Sequence, residues 1–260
     1  MFNILDKEQE LNKLKMRIIN IIAHELEHPL KRMLYCVNIL NNYRGNLPDN
    51  EDINYCFKEM DNTIYTLLEL TENVQIINQG SYEELYVNNS AFDIHYFVSY
   101  IIDDFNFSLL KRRDIVFQVK SNLDLIKNTQ NEISNKDGQD HRKFMTNKKI
   151  LSQIIRNILS NAVKFSKRNT VIRVTLINNI KNAEIIIKDN GIGIPKNEMD
   201  KIYDLFYKAS NALNTEGAGI GLLVVKSALE ILGGTIKIES ELGKGTTVSC
   251  VIPNFEHLII

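Results

Sequence analysis

The chain has 260 residues, of which 44% are hydrophobic and 24% are charged, so it contains enough apolar side chains for a hydrophobic core. Its formal net charge of −1 excludes the strongly basic balance that is typical of nucleic-acid-binding proteins, and we expect no nucleic acid among its partners. Three cysteines, Cys36, Cys56 and Cys250, are too few for a disulfide framework and indicate buried thiols in a reducing compartment.

No apolar run reaches the ~18 residues that a helix needs to span a bilayer. The N-terminus lacks the basic segment and the long apolar stretch of a signal peptide. We therefore expect a cytoplasmic chain, either by itself or as the cytosolic part of a larger membrane-associated protein. Any membrane attachment is expected only through segments outside this sequence.

Residues 1–78 predict a pair of long helices. Apolar residues recur there at steps of three and four over residues 11–40 and again over residues 53–74, which is the spacing of a helix bundle. Asp49 or Asn50 suits the N-cap of the second helix. Because two helices alone bury such a stripe poorly, we predict that the hairpin pairs with a second copy to form a dimeric four-helix bundle.

A second domain is predicted over residues 82–255, after the helical pattern breaks. Asp93 can cap an expected helix that reaches Lys111, and further helices are expected over 148–166 and over 221–232. Its expected strands lie at 115–119, 171–177, 184–188, 235–240 and 246–252. The polar residues 128–143 indicate an exposed loop. The whole pattern predicts an α+β fold, with a helical hairpin followed by an α/β sandwich on a mixed, largely antiparallel sheet.

Two glycine-rich stretches indicate a ligand site. Residues 189–195 read DNGIGIP directly after a predicted strand, and residues 217–222 read GAGIGL at the start of a predicted helix. Clustered glycines let the backbone approach a ligand, and the N–H groups at a helix N-terminus favour an anion. The carboxylate of Asp189 can accept a hydrogen bond from an exocyclic amine. One such loop alone is explained equally well as a tight turn.

A third stretch, residues 153–166, carries polar side chains on an otherwise apolar helix. Asn157 and Asn161 lie four residues apart and therefore on one helical face, and Lys164 follows them. Buried amides among isoleucine and leucine need polar partners. Amide oxygens are acceptable ligands for magnesium, and a lysine can contact a phosphate. These residue types therefore fit a magnesium-bound phosphate.

Taken in chain order, residues 153–166, 189–195 and 217–222 resemble the N, G1 and G2 boxes of sensor histidine kinases. These kinases share an ATPase superfamily with Hsp90, gyrase B and MutL. Residues 202–208 resemble the F box, and the tail stretches 233–236 and 239–247 also follow the family pattern. The hairpin resembles the dimerisation and phosphoacceptor domain, with HELEHPL at residues 24–30 as the H box. The resemblance covers nearly the whole chain. It implies a dimerisation and histidine phosphoacceptor domain over 1–78 and a Bergerat-type catalytic ATP-binding domain over 82–255.

The resemblance implies a protein-histidine kinase core of a two-component system, which autophosphorylates His24 from ATP and passes the phosphoryl group to an aspartate of a response regulator receiver domain. Glu25 is the implied base, and His28 stands at the position that supports phosphatase activity in relatives. The helical phase agrees with an exposed acceptor, since His24 lies about 160° around the helix from the apolar Leu26. An ordinary surface histidine remains the alternative at this position.

The resemblance also implies an ATP site with Mg²⁺. Asp189 would hold the adenine amine, with Thr246 near the base, and Asn157 and Asn161 would bind magnesium and order the phosphates. A mobile lid is expected over residues 206–219. The other implied ATP-binding residues are Lys164, Phe165, Gly191, Gly193, Lys208, Gly217, Gly219 and Gly221.

A metalloprotease is one alternative that the sequence leaves open. Residues 24–28 read HELEH, which matches the H-E-x-x-H zinc signature, and both imidazoles could bind zinc. Pro29 disfavours helical geometry at His28, whereas a zincin helix continues. A protease would also explain none of the nucleotide motifs.

A nucleotide-binding scaffold that does not phosphorylate is the other alternative, and it rests on departures from the family pattern. Ala23 stands where the family usually has serine, Glu27 and His28 replace the usual Arg-Thr or Arg-Asn, and Asn147 replaces an aspartate. None of these positions supplies the acceptor, the base or a nucleotide contact. The departures put the phosphatase reaction and partner docking in doubt, and leave ATP binding as expected.

Overall fold

The computed structural model describes residues 22–23, 26–42, 51–78, 88–109, 116–121, 143–213, 215 and 217–257. The chain divides into two compact units. The first extends to Gln75 and also holds Gly217 and Ala218, and the second comprises Ile76–Thr215 and Gly219–Ile260. Among the residues described, no helix is long and apolar enough to cross a bilayer.

The described part of the first unit contains two antiparallel helices, α1 over residues 26–42 and α2 over Glu51–Asn78. Helix α2 lies in this unit as far as Gln75. Arg32 Nε lies 3.6 Å from Glu59 Oε1, and the thiols of Cys36 and Cys56 are hydrogen-bonded. Because the contacts move forward along α1 and backward along α2, the helices run in opposite directions. Burial raises the pKa of Cys36 to about 11, so it remains a neutral thiol. All three cysteines are buried and free, as predicted.

The apolar stripe predicted for α2 is divided between two faces of the helix. Ile53, Cys56 and Thr63 are buried, and their spacing is that of heptad core positions. Phe57 and Ile64, which belong with Ile53 to the predicted stripe, are 48% and 46% exposed. The hairpin therefore buries one part of the stripe and leaves another part on the surface of the single chain.

Helix α1 continues through His28 and Pro29, so the predicted loss of helical geometry at His28 is wrong. A proline removes one backbone hydrogen bond from a helix and crowds the preceding turn. Pro29 is buried, and burial of its ring offsets part of that cost.

The second unit is built on a five-stranded sheet in the order β2-β4-β5-β7-β6, beside a two-stranded sheet of β1 and β3. The strands are β1 Ser90–Asp93, β2 Val116–Ser121, β3 Lys143–Thr146, β4 Val171–Asn178, β5 Asn182–Lys188, β6 Thr235–Glu241 and β7 Gly245–Pro253. Among the described strands of the larger sheet, β2 and β4 pair in parallel and the other neighbours pair antiparallel. This confirms the predicted mixed, largely antiparallel sheet and, with the N-terminal helices, the α+β fold class.

Among the described residues of the second unit, three α-helices pack with these sheets: α3 Ile94–Leu109, α4 Lys148–Phe165 and α5 Gly221–Ile231. Alternate residues of β4, including Ile172 and Val174, are fully buried, so one face of the sheet packs against the apolar core that the helices share. As predicted, Asp93 caps α3, because its Oδ1 accepts hydrogen bonds from the N–H groups of His95 and Tyr96.

The small sheet of β1 and β3 has no counterpart among the predicted strands. Each strand has only four residues, which is too short for a clear alternation of apolar and polar side chains. Asn254, just after β7, joins this sheet to the rest of the unit. Its Oδ1 accepts from the N–H of Met145 at 3.0 Å, and its Nδ2 donates to the carbonyl of Ile180 at 3.1 Å. The predicted loop at 128–143 lies outside the described residues except for Lys143, the first residue of β3.

Candidate functional site

Helix α4 begins at a side-chain cap. The Oδ1 atom of Asn147 accepts hydrogen bonds from the N–H groups of Lys149 at 3.0 Å and Ile150 at 3.2 Å. Asparagine and aspartate cap helices about equally well, since both offer a side-chain oxygen at the same distance from the backbone. Asparagine in place of the family's aspartate therefore keeps the start of α4 intact.

The structure brings Asn157, Asn161 and Gly221 together. Asn157 is only 4% exposed, and its Nδ2 donates to the carbonyl of Gln153 at 3.0 Å, which directs its oxygen away from that carbonyl. A Cβ atom added to Gly221 would lie 3.2 Å from Asn157 Oδ1 and 3.4 Å from Asn161 Nδ2. The first residue of α5 thus meets both amides of α4, and the missing side chain keeps the space beside them open.

Asp189 follows β5 and is 7% exposed. Its Oδ1 accepts hydrogen bonds from the N–H of Gly191 at 2.7 Å and from the N–H of Thr246 at 3.1 Å. Both bonds end on Oδ1 and not on Oδ2. Burial raises the pKa of this carboxyl, while the two backbone N–H groups oppose that rise. The two hydrogen bonds hold the carboxylate in one orientation, in which Oδ2 can accept from a ligand.

The loop at Gly191–Gly193 packs closely between the end of α4 and the turn that joins β6 to β7. A Cβ at Gly191 would lie 2.5 Å from the carbonyl oxygen of Phe165, and one at Gly193 would lie 2.1 Å from that of Glu241. The N–H of Ile192 donates to the carbonyl of Phe165 at 3.2 Å. Gly193 also has a φ of +66°, which favours glycine. Both glycines are therefore required by close backbone contacts.

The two ends of the expected lid meet backbone to backbone. Gly219 has a φ of +70°, and a Cβ there would lie 2.7 Å from the carbonyl oxygen of Tyr207. Phe206 has a φ of +63°, a conformation that bulky residues rarely adopt and that often marks functional segments. Gly217 has a φ of +117° and belongs to the first compact unit, so the site in the second unit is described without it.

The two candidate lysines each contact a neighbouring group. Lys164 Nζ lies 5.3 Å from the centre of the Phe165 ring, within the range of a cation–π contact. Lys208 Nζ donates to the carbonyl of Thr215 at 3.1 Å. Both lysines lie in the same compact unit as Asp189.

Two residues of this site were not singled out from the sequence. Gly245 has a φ of +111°, and a Cβ there would lie 2.2 Å from the carbonyl oxygen of Asp189. Ser240 Oγ accepts from the N–H of Ile194 at 2.9 Å and lies 2.9 Å from Thr246 Oγ1. The motif GKG around Gly245 signals a turn, but nothing local in it points to Asp189.

The first unit carries the other predicted site residues. His24 and Glu25 lie outside the described residues. His28 is exposed and lines an open groove of about 260 Å³ with Lys31, Arg32, Tyr35, Cys36, Tyr55 and Glu59. Within the described part of the chain, no group of three His, Cys, Asp or Glu side chains is arranged to hold a metal ion.

Comparisons with known proteins give a family match and several sequence relatives. Residues 146–256 match the family described as histidine kinase-, DNA gyrase B- and HSP90-like ATPase. The sensor histidine kinase WalK of Bacillus subtilis is 27% identical over 258 residues, which cover 96% of this chain and 38% of WalK. The sensor protein SrrB of Staphylococcus aureus is 35% identical over 108 residues, which cover 41% of this chain and 18% of SrrB. The chain thus spans well under half the length of these curated relatives.

Two solved structures share the fold. The histidine kinase AdeS of Acinetobacter baumannii has a TM-score of 0.58 at 18% identity, over 89% of this chain and 98% of AdeS. Full-length ShkA, solved in complex with AMPPNP, has a TM-score of 0.58 at 16% identity, over 95% of this chain and 46% of ShkA. The family match and the sequence relatives agree: residues 146–256 match an ATPase domain of the kind found in histidine kinases, and the chain is similar to sensor histidine kinases.

Proposed function

We propose that the chain is a protein-histidine kinase core that binds ATP with Mg²⁺, phosphorylates its own His24 and passes the phosphoryl group to an aspartate of a response regulator receiver domain. In this proposal, residues 1–78 form the dimerisation and phosphoacceptor domain, and residues 82–255 form the ATP-binding domain. The observation that carries the proposal is the meeting of Asn157, Asn161 and Gly221, which the chain draws from two separate motifs.

Asp189 is proposed to bind the adenine of ATP. Its Oδ2 accepts from the exocyclic amine while Oδ1 stays bound to the backbone at Gly191 and Thr246. A carboxylate already held by two N–H groups loses little conformational freedom when it binds a ligand. The backbone at Gly191, Gly193 and Gly245, which packs closely against neighbouring backbone, is proposed to form a wall beside the base.

The phosphates are proposed to lie beside Asn157, Asn161 and the N-terminus of α5. Two amide oxygens and the space left by Gly221 fit a magnesium ion, since hard oxygen ligands are those that Mg²⁺ prefers. When bound, the ion offsets the negative charge of the phosphates. Lys164 and Lys208 are proposed to add positive charge, with Phe165, Gly217 and Gly219 completing the wall and the lid.

The proposed phosphotransfer takes place between ATP and the imidazole of His24. An imidazole nitrogen attacks the γ-phosphorus, the bond from that phosphorus to the bridging oxygen breaks, and ADP leaves. Glu25 accepts the imidazole proton as a general base. We further propose that His28 makes the phosphatase reaction weak, because its imidazole is larger than the threonine or asparagine of relatives.

Replacing His24 by glutamine is expected to abolish autophosphorylation and to leave ATP affinity within a few fold of wild type, because acceptor and nucleotide site belong to different domains. The measurement is incubation with γ-labelled ATP and Mg²⁺, followed by acid and base treatment, since phosphohistidine is acid-labile and base-stable. His28→Gln, four residues further along the chain, is the matched control and should keep the label. A label that persists in His24→Gln would identify another acceptor, and a wild type that binds ATP without labelling would favour a non-phosphorylating scaffold.

The proposed homodimer is supported by the exposed apolar face of α2. Phe57, Ile64 and Leu68 are 48%, 46% and 54% exposed in the single chain and follow one stripe along the helix. Burying such side chains against a second hairpin removes apolar surface from water.

A Phe57→Lys, Ile64→Lys double variant is therefore expected to sediment as a monomer at concentrations where the wild type is a dimer. Its helical content by circular dichroism should stay unchanged, because both positions are exposed in the monomer. Asp52→Lys, at an exposed position about 140° around the helix from Phe57, makes the same total change in charge and should leave the dimer intact. A monomeric wild type, or a double variant that remains a dimer, contradicts this interface.

A further inference from the structure

The carboxylate of Glu198 collects three hydrogen bonds from one short segment. Glu198 lies in a 3-10 turn, Lys196–Lys201, that follows the loop at Gly191–Gly193. Its Oε2 accepts from the hydroxyl of Tyr207 at 2.7 Å and from the N–H of Ser210 at 2.9 Å, and its Oε1 accepts from Ser210 Oγ at 2.6 Å. The three donors lie on either side of Lys208.

The protonation states agree with this arrangement. The hydrogen bonds from Ser210 lower the pKa of Glu198, with a smaller contribution from Tyr207. The bond to Glu198 in turn raises the pKa of Tyr207. The carboxylate is thus the charged acceptor and the phenol keeps its proton. Hydrogen bonds to a charged acceptor are stronger than those between neutral groups.

A second contact fastens the same segment to the glycine loop. Asn211 Nδ2 donates to the carbonyl of Gly193 at 2.9 Å. That part of the loop is itself held, because Ser240 Oγ accepts from the N–H of Ile194. The backbone before and after Lys208 is therefore tied to a rigid part of the second unit, whereas the Lys208 side chain contacts the carbonyl of Thr215.

We propose that Glu198 is a positioning residue for phosphate binding: it fixes the backbone on both sides of Lys208 and so presents that ammonium group to the phosphates of ATP. This inference rests on the proposed function. Holding the backbone in advance reduces the conformational entropy that is lost when the lysine binds a phosphate. The bond from Lys208 to Thr215 is exchanged for the phosphate when ATP binds.

Two substitutions separate hydrogen-bond geometry from charge. Glu198→Ala removes all three acceptor contacts. Glu198→Gln keeps them in a neutral form, because its amide oxygen accepts from Tyr207 and the Ser210 N–H, while its NH₂ donates to the Ser210 hydroxyl, which can also accept. Asp200→Ala removes an exposed carboxylate from the same turn and is the control for a general loss of negative charge.

The experiment is calorimetric titration of the full chain with ATP and with adenosine, in the presence of Mg²⁺. Glu198→Ala is expected to weaken ATP binding about fivefold to tenfold. This is the scale of one charge-assisted contact, here that of the Lys208 ammonium group with a phosphate. Adenosine binding should change by less than about twofold, and both Glu198→Gln and Asp200→Ala should match wild type. In a Lys208→Ala background, adding Glu198→Ala should change ATP affinity by less than about twofold, because the two residues act through one contact.

Equal weakening of ATP and adenosine binding, or a full additional effect in the Lys208→Ala background, overturns the positioning role and leaves the proposed function standing. A wild type that binds neither ATP nor adenosine contradicts the proposed function and the inference together. If Glu198→Ala does not fold, the Tyr207→Phe, Ser210→Ala double variant removes two of the donors and leaves Glu198 in place. This double variant must then weaken ATP binding and leave adenosine binding unchanged. If its ATP affinity equals that of wild type, the inference is overturned.

Discussion

Replacing Asp189 by asparagine is expected to weaken ATP binding by roughly a hundredfold or more while the fold is kept. The asparagine oxygen can still accept from the N–H groups of Gly191 and Thr246, so the local structure is preserved. Its NH₂ group then takes the place of Oδ2 and opposes the adenine amine, donor against donor. A buried site that faces its ligand with an unpaired donor loses both the hydrogen bond and the solvation of that donor.

Calorimetric titration with ATP and adenosine, together with thermal unfolding, measures this effect. Both ligands should lose affinity, because both carry the adenine amine, and the unfolding temperature should stay close to wild type. Asp103→Asn, an exposed carboxylate on α3, makes the same chemical change away from the site and should bind normally. ATP affinity within a few fold of wild type in Asp189→Asn would show that the base is recognised elsewhere.

Replacing Gly193 by alanine is expected to destabilise the second unit by roughly 3 kcal/mol or more. Its φ of +66° is unfavourable for alanine, and the added Cβ would lie 2.1 Å from the carbonyl oxygen of Glu241, which is backbone and cannot rotate aside. The loop would have to move away from the β6–β7 turn, and the N–H of Ile192 would lose its position against Phe165. The measurement is urea unfolding, with ATP titration of the folded protein.

Gly243→Ala is the matched control for this prediction. Gly243 has a φ of +80°, but a Cβ there would meet no described atom within 4 Å. Alanine at this position is therefore expected to lower the free energy of unfolding by about 1 kcal/mol, which is the cost of the positive φ alone. If the two variants lost the same stability, close contact at Gly193 would have no energetic weight, and the turn would have relaxed around the new methyl group.

Much of the fold was predictable because its signals are local. Helix α4 occupies Lys148–Phe165 against a predicted 148–166, since its apolar face and its Asn147 cap are both encoded within a few residues. The cap of α3 at Asp93 has the same origin. The small sheet was missed because β1 and β3 lie far apart along the chain, and each is too short to show an alternation. The predicted loss of helical geometry at His28, before Pro29, was wrong because a buried proline ring can be kept within a helix.

The local features of the site are predictable from short stretches of sequence: the glycines of both loops, the asparagine pair four residues apart and the helix caps. These depend only on the geometry of one helix or one turn. Tertiary structure decided which of them meet. Gly245 contacts Asp189, and Glu198 accepts from Tyr207 and Ser210, only because strand pairing and the closure of long loops bring them together. No local pattern records such contacts, since their partners are set by the register of the sheet and the packing of the helices on it.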